Sequence, residues 1–215
     1  MIEINNITKV YKRGSEKFTA LDNVSFKISK GAFVVITGPS GAGKSTLLYS
    51  IGGLIHPDSG TLLFKGEDLY AQSNKYLDSY RKKQVGFMFQ QFHLMPYLTV
   101  IENIKFNWSE KSAMSTLNDY LERCSLQDIR NKYPSELSVG EKQRTAFIRA
   151  IIPGPELLLA DEPTGNLDPG NSEVLLSLIE QYHKNGGTVV LVSHDPSVAR
   201  YSTSNLLLEK GRIPA

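Results

Sequence analysis

The chain has 215 residues, 40% of them hydrophobic and 21% charged, with a formal net charge of +2 and one cysteine. That length buries about 70% of the unfolded surface in one domain, and a single cysteine excludes an internal disulfide framework. There is no basic stripe for nucleic acid, no run near the roughly 20 apolar residues of a membrane helix, and no signal-peptide pattern at the N-terminus; a reducing cytoplasm suits the lone thiol.

Residues 2–10 and 18–28 alternate like strands about the polar turn Lys12-Arg13-Gly14-Ser15-Glu16. Residues 32–37 (Ala-Phe-Val-Val-Ile-Thr) read as a buried strand. It runs into Gly38-Pro39-Ser40-Gly41-Ala42-Gly43-Lys44-Ser45, which fits G-x-x-x-x-G-K-[ST], the phosphate-binding P-loop. Thr46-Leu47-Leu48 then opens a helix to about residue 54. Glycines let successive backbone N–H groups turn inward around an anion, and the helix N-terminus adds partial positive charge. Lys44 would reach the β- and γ-phosphates and the Ser45 hydroxyl would bind Mg²⁺. Gly38, Ser40, Gly41, Ala42, Gly43, Lys44, Ser45 and Thr46 are therefore candidate nucleotide contacts.

A turn at His56-Pro57-Asp58-Ser59-Gly60 leads to a strand at 61–65, a helix at 73–83 and an apolar strand at 85–89. The basic run Arg81-Lys82-Lys83 reads as a solvated helix end. From residue 91 to 137 strands stop, and the best helices are 99–108 and 114–124, a helical insert; Cys124 among Leu121, Leu126 and Ile129 is a core thiol. A helix follows from Gly140 to 151, then a buried strand at 156–160, a helix at 171–184, a buried strand at 187–192 and a last strand at 205–209. Strands alternating with helices predict an α/β fold with a largely parallel sheet.

The strand at 156–160 ends in Asp161-Glu162. A carboxylate there is costly unless a cation or hydrogen bonds meet it. Beside a P-loop the natural cation is Mg²⁺, which makes Asp161 the expected metal ligand. Glu162 then projects toward the γ-phosphate, where a base orients the attacking water. His194 follows the strand at 187–192, where α/β proteins place ligand groups. Gln90 closes the strand at 85–89 and is placed to reach the same metal or water. His56, His93 and His183 read as structural. Ser138, with Glu141 three residues on, makes a capping box, so the segment Leu137-Ser138-Val139-Gly140-Glu141 is either a plain helix start or a second phosphate-binding N-terminus.

In that order, the P-loop, Gln90, Leu-Ser-Val-Gly-Glu, Asp161-Glu162 and His194 resemble an ABC-type ATPase domain over essentially the whole chain. Asp161-Glu162-Pro163-Thr164-Gly165-Asn166-Leu167-Asp168 resembles its Walker B and D-loop. The resemblance implies one ABC ATPase domain, 1–215: an α/β core with a largely parallel sheet and an antiparallel β subdomain (1–90 and 138–215), and a helical subdomain (about 91–137). It implies ATP with Mg²⁺, held by Ser45, Gln90 and Asp161, in a homodimer whose two domains pair head to tail. Ser138, Gly140 and Glu141 belong to the segment that meets the partner's γ-phosphate. Asp168 couples the two sites, Tyr11 stacks on adenine, Glu162 is the catalytic base, Gln90 the Q-loop glutamine and His194 the switch histidine.

The run Phe89-Gln90-Gln91-Phe92-His93-Leu94-Met95-Pro96-Tyr97-Leu98-Thr99-Val100-Ile101-Glu102-Asn103 and Ser193-His194-Asp195-Pro196-Ser197-Val198-Ala199 are similar to the ATPases of lipoprotein release, macrolide export, bacitracin-type peptide resistance and the FtsE group. That similarity implies a peripheral ATPase on the cytoplasmic face of the cell membrane. By the same similarity it would drive a permease-like membrane subunit through residues 90–98; from the charge balance, no nucleic-acid partner is expected. The alternatives are an FtsE-like ATPase that signals to cell-wall enzymes without transport, and a soluble ABC protein; residues 92–98 are otherwise core of the helical insert. Two departures stand out. Val139 occupies a position usually glycine, tolerable in helical backbone and strained at positive φ, so ATPase activity is expected to be retained. The stretch 105–133 is shorter than in that group. The end soon after Gly211-Arg212-Ile213 predicts no regulatory C-terminal domain.

Overall fold

Two hydrophobic patterns divide the chain between two sheets. The first strands alternate, with one face buried and one exposed, as antiparallel strands do; the later ones at 33–37, 157–161 and 188–192 are largely apolar and covered on both faces, as parallel strands are. The computed structural model describes residues 1–106 and 114–214. Residues 107–108 of the expected helix 99–108, and the middle of the stretch 105–133, lie outside the described residues.

β1 (Ile2–Arg13) and β2 (Glu16–Ile28) form a hairpin longer than the alternation predicted. β4 (Ser59–Phe64) pairs with the other edge of β1, and the two-residue β5 (Glu67–Asp68) completes an antiparallel sheet of order β2-β1-β4-β5. The second sheet is wholly parallel. Its strands β6 (Val85–Met88), β7 (Leu157–Asp161), β8 (Thr188–Val192), β3 (Phe33–Thr37) and β9 (Ser204–Leu207) stand in that spatial order.

Because side chains alternate across a strand, the parallel sheet supplies two cores. Val34, Ile36, Leu157, Leu159, Val190 and Val192 face one, shared with Leu47 and Leu48 of α1 (Lys44–Ile51) and with Ile2 and Ile4 of the hairpin. Val35, Leu158, Ala160, Val189 and Leu191 face the other, shared with Phe147 of α5 (Val139–Ile151) and Leu175 of α6 (Pro169–Lys184). Val100 and Ile104 of α3 (Val100–Lys105) and Leu117 and Leu121 of α4 (Met114–Arg123) extend this second core, and α2 (Asn74–Lys83) lies before β6. Cys124 is fully buried there, as a core thiol should be.

Parallel pairing also puts the carboxyl ends of these strands level. Met88 pairs with Ala160, Asp161 with Val192, and Val192 with Ile36. The residues that follow, Gln90, Glu162, Ser193 and Gly38, therefore emerge along one edge of the sheet, where open α/β sheets bind ligands.

Candidate nucleotide site

At that edge, a cleft of about 410 Å³ is lined by Tyr11, Phe18, Ser40, Gly41, Gly43, Lys44, Ser45, Thr46, Gln90, Glu162 and His194, among others. The P-loop is held tight from outside. A Cβ on Gly38 would fall 2.0 Å from the carbonyl oxygen of Leu208, and one on Gly43 would fall 2.1 Å from that of Ala20; both residues have positive φ. Glycine is required at both positions for these two reasons. Ala42 is buried behind the loop, and its carbonyl accepts from the N–H of Gly211 at 3.0 Å.

Lys44 is folded back on its own loop, donating to the carbonyls of Gly38 and Pro39, both at 2.9 Å. Burial pulls its pKa down, and the nearby Glu162 and Asp161 push it back up. One side of α1 faces β7. Ser45 Oγ donates to Asp161 Oδ1 at 3.0 Å, and the Tyr49 hydroxyl donates to Asp161 Oδ2 at 2.6 Å. Asp161 is 3% exposed. A hydroxyl and a carboxylate are hard oxygen donors, and of the two Ser45 lines the cleft, with Asp161 bonded directly behind it. That set fits Mg²⁺, which takes one or two protein oxygens and leaves the rest of its octahedron to phosphates and water.

Glu162 follows with φ 45, the left-handed region, and its N–H donates to the carbonyl of Val192. A non-glycine residue there is uncommon and persists only where its surroundings fix it. Here the turn lifts the carboxylate off the strand and between two partners: Gln90 Nε2 donates to Oε2 at 3.2 Å, and His194 Nε2 lies 3.0 Å from Oε1. Gln90, Glu162 and His194, drawn from three loops, thus meet in space.

The remaining candidates form a second cluster. None of Ser138, Gly140, Glu141 or Asp168 lines the P-loop cleft. Ser138 caps α5 in a reciprocal box with Glu141, whose Oε2 accepts from the Ser138 N–H at 2.7 Å. Asp168 caps α6, and Asn171 donates to it from both backbone and side chain. These hydrogen bonds from Ser138 and from Asn171 hold the Glu141 and Asp168 carboxyls below the usual range. Asn171 joins the two caps: its Oδ1 accepts from Arg144 at 2.7 Å and lies 2.4 Å from where a Cβ on Gly140 would sit. Val139 has no positive φ and begins the helix, 43% exposed.

The segment after Gln90 is pinned rather than loose. Buried Asn103 donates to the carbonyls of Met95, Leu98 and Thr99, and Arg149 donates to those of Phe92 and His93. Beside it runs a groove of about 430 Å³ whose lining includes Phe87, Phe89, His93, Met95, Phe106 and Arg149. Tyr97 is 70% exposed. His56 and His183 pair with the backbone carbonyls of Pro57 and Gly31. Tyr49 and Phe18 were not foreseen. Tyr49 had a signal: it lies four residues after Ser45, on the same face of α1. Phe18 had one only through the hairpin register, which sets it opposite Tyr11.

The family profile described as ABC transporter matches residues 21–165. The lipoprotein-releasing system ATP-binding protein LolD of Buchnera aphidicola subsp. Acyrthosiphon pisum is 38% identical, over 99% of this chain and 96% of its own length. The macrolide export ATP-binding/permease protein MacB of Chlorobaculum tepidum is 37% identical over 99% of this chain and 33% of its own length. Among solved structures, the dimeric post-hydrolysis state of the ATP-binding cassette MJ0796 bound to ADP and Pi superposes with a TM-score of 0.91 at 36% identity, covering 100% of this chain and 97% of that one. With the P-loop, the acidic strand end and the capped signature helix arranged as described, the chain belongs to the ABC transporter family and is one of its ATP-binding cassettes.

Proposed function

We propose that this ATPase works as a head-to-tail homodimer on the cytoplasmic face of the cell membrane and drives a permease-like membrane subunit docked at residues 90–98. One observation carries the reading: Ser138, Gly140, Glu141 and Asp168 sit at a capped α5–α6 corner and line no part of the P-loop cleft. A second copy brings its corner, with Ser138, Gly140 and Glu141, onto the first copy's cleft; the dimeric form of the similar MJ0796 cassette supports this.

Tyr11 stacks on the base, and Gly38, Ser40, Gly41, Ala42, Gly43, Lys44 and Thr46 cradle the phosphates. Ser45 and Asp161, with Gln90 beside them, hold Mg²⁺, which neutralises charge on the phosphates when bound. Glu162 accepts a proton from the attacking water, held in place by His194 and Gln90. Asp168 links the two sites. The functional division is an α/β core of 1–90 and 138–215 around a helical subdomain of about 91–137. Among the described residues no helix is long and apolar enough to cross a membrane, and the groove beside residues 90–98 gives a membrane subunit its foothold.

The test is to recover tagged Glu162→Gln protein with ATP from detergent-solubilised membranes of its host. Co-purification of a membrane protein with few spanning helices and a large outer domain supports the reading. Recovery from the soluble fraction alone, or with ribosomes or DNA, contradicts it.

A further inference from the structure

We infer that Tyr49 is a positioning residue that fixes the Asp161 carboxylate and ties it to the aromatic wall of the groove beside residues 90–98. This rests on the proposed role of Asp161 at the metal.

Both oxygens of Asp161 are taken by α1. Ser45 donates to Oδ1 at 3.0 Å and Tyr49 to Oδ2 at 2.6 Å. The two donors are one helical turn apart, so together they fix the rotation of a carboxylate that is almost wholly buried. With Oδ2 held by the phenol, Oδ1 is kept on the Ser45 side. Groups that orient a metal's carboxylate in this way set its affinity for the ion.

The Tyr49 ring also reaches the other way. Its centroid lies 5.9 Å from that of Phe89, tilted by 55°. Phe89 is stacked on Phe87 at 5.3 Å and meets His93 edge-on at 5.2 Å. Phe87, Phe89 and His93 line the groove. One tyrosine therefore spans the distance between the nucleotide-site carboxylate and a surface outside the cleft, and displacing Phe89 moves the clamp on Asp161. Gln90, the next residue in the chain, bonds Glu162 rather than Asp161, so the Tyr49 contact is a separate connection.

The experiment measures the affinity of the full chain for a non-hydrolysable ATP analogue, once with Mg²⁺ and once with EDTA. Five proteins are compared: wild type, Tyr49→Phe, Asp161→Asn, Phe89→Leu, and the Tyr49→Phe/Phe89→Leu double variant. Nucleotide-free melting temperatures are measured alongside. The expected result is that Tyr49→Phe weakens binding with Mg²⁺ by about 10-fold and leaves binding in EDTA unchanged. Phe89→Leu should weaken it in the same direction in wild type and add nothing once Tyr49 is phenylalanine. If Tyr49→Phe lowers only the melting temperature while Asp161→Asn loses the Mg²⁺ effect, the tyrosine is merely structural and the inference fails with the site reading intact. If Asp161→Asn keeps the full Mg²⁺ effect, the site reading itself fails and takes the inference with it. An equal Phe89→Leu effect in both backgrounds overturns the link to the groove.

Discussion

His194 Nε2 lies 3.0 Å from Glu162 Oε1, although the two residues leave the sheet from neighbouring strands and Glu162 must adopt a left-handed backbone to meet it. The contact holds one oxygen of the Glu162 carboxylate while Gln90 donates to the other. His194→Ala should therefore lower turnover and spare nucleotide binding. A hydrogen bond to a charged group contributes about 1.5–3 kcal/mol, so turnover should fall by about 10- to 150-fold. Single-turnover hydrolysis read beside nucleotide titration separates the two effects; equal loss of binding and turnover contradicts this placement.

Val139 begins α5 in helical backbone, with its side chain 43% exposed. The strain a β-branched residue would suffer at positive φ is absent. Val139→Gly should cost about 0.5 kcal/mol of helix propensity, lower the melting temperature by about 1–2 °C, and leave turnover unchanged. A large gain in turnover would mean that the valine holds the rate down.

Cys124 is sealed in the second core, and burial pushes its thiol pKa up to about 12, against the opposing pull of Arg144 and Arg123. A raised pKa favours the protonated thiol, so at pH 9 only about 10⁻³ of it is the reactive thiolate. The folded protein should resist a disulfide reagent at pH 7 and at pH 9 alike, and react fully once unfolded. Fast labelling of the folded form that climbs between those pH values contradicts the burial.

Much of the fold was legible because its signals are local. Residues 32–37 before the P-loop and the apolar run ending in Asp161 are buried strands in any context. Boundaries moved where a local rule went unused. α1 stops at Ile51 rather than residue 54 because Gly53, just past the Gly52 cap, takes φ 72, the left-handed turn that ends a helix. α6 starts at Pro169 rather than 171 because Asp168 caps it and proline suits the first turn. β5, Glu67–Asp68, has no apolar residue to reveal it. The strand order was not legible: periodicity tells which face a residue points to, not which strand lies beside it, and β3 pairs with β8 and β9 from the far end of the chain. For the same reason the meeting of Gln90, Glu162 and His194, and the bond from Tyr49 to Asp161, needed three dimensions.

The head-to-tail sandwich is the centre of the account, and one measurement reaches it most directly: the mass in solution of Glu162→Gln protein, by light scattering, with and without MgATP. The account predicts a monomer without nucleotide and a stable particle of twice the mass with MgATP, in which ATP stays intact because hydrolysis has fallen by about 10²- to 10⁴-fold. A particle that remains monomeric at saturating MgATP, or a variant that still turns ATP over briskly, would contradict it.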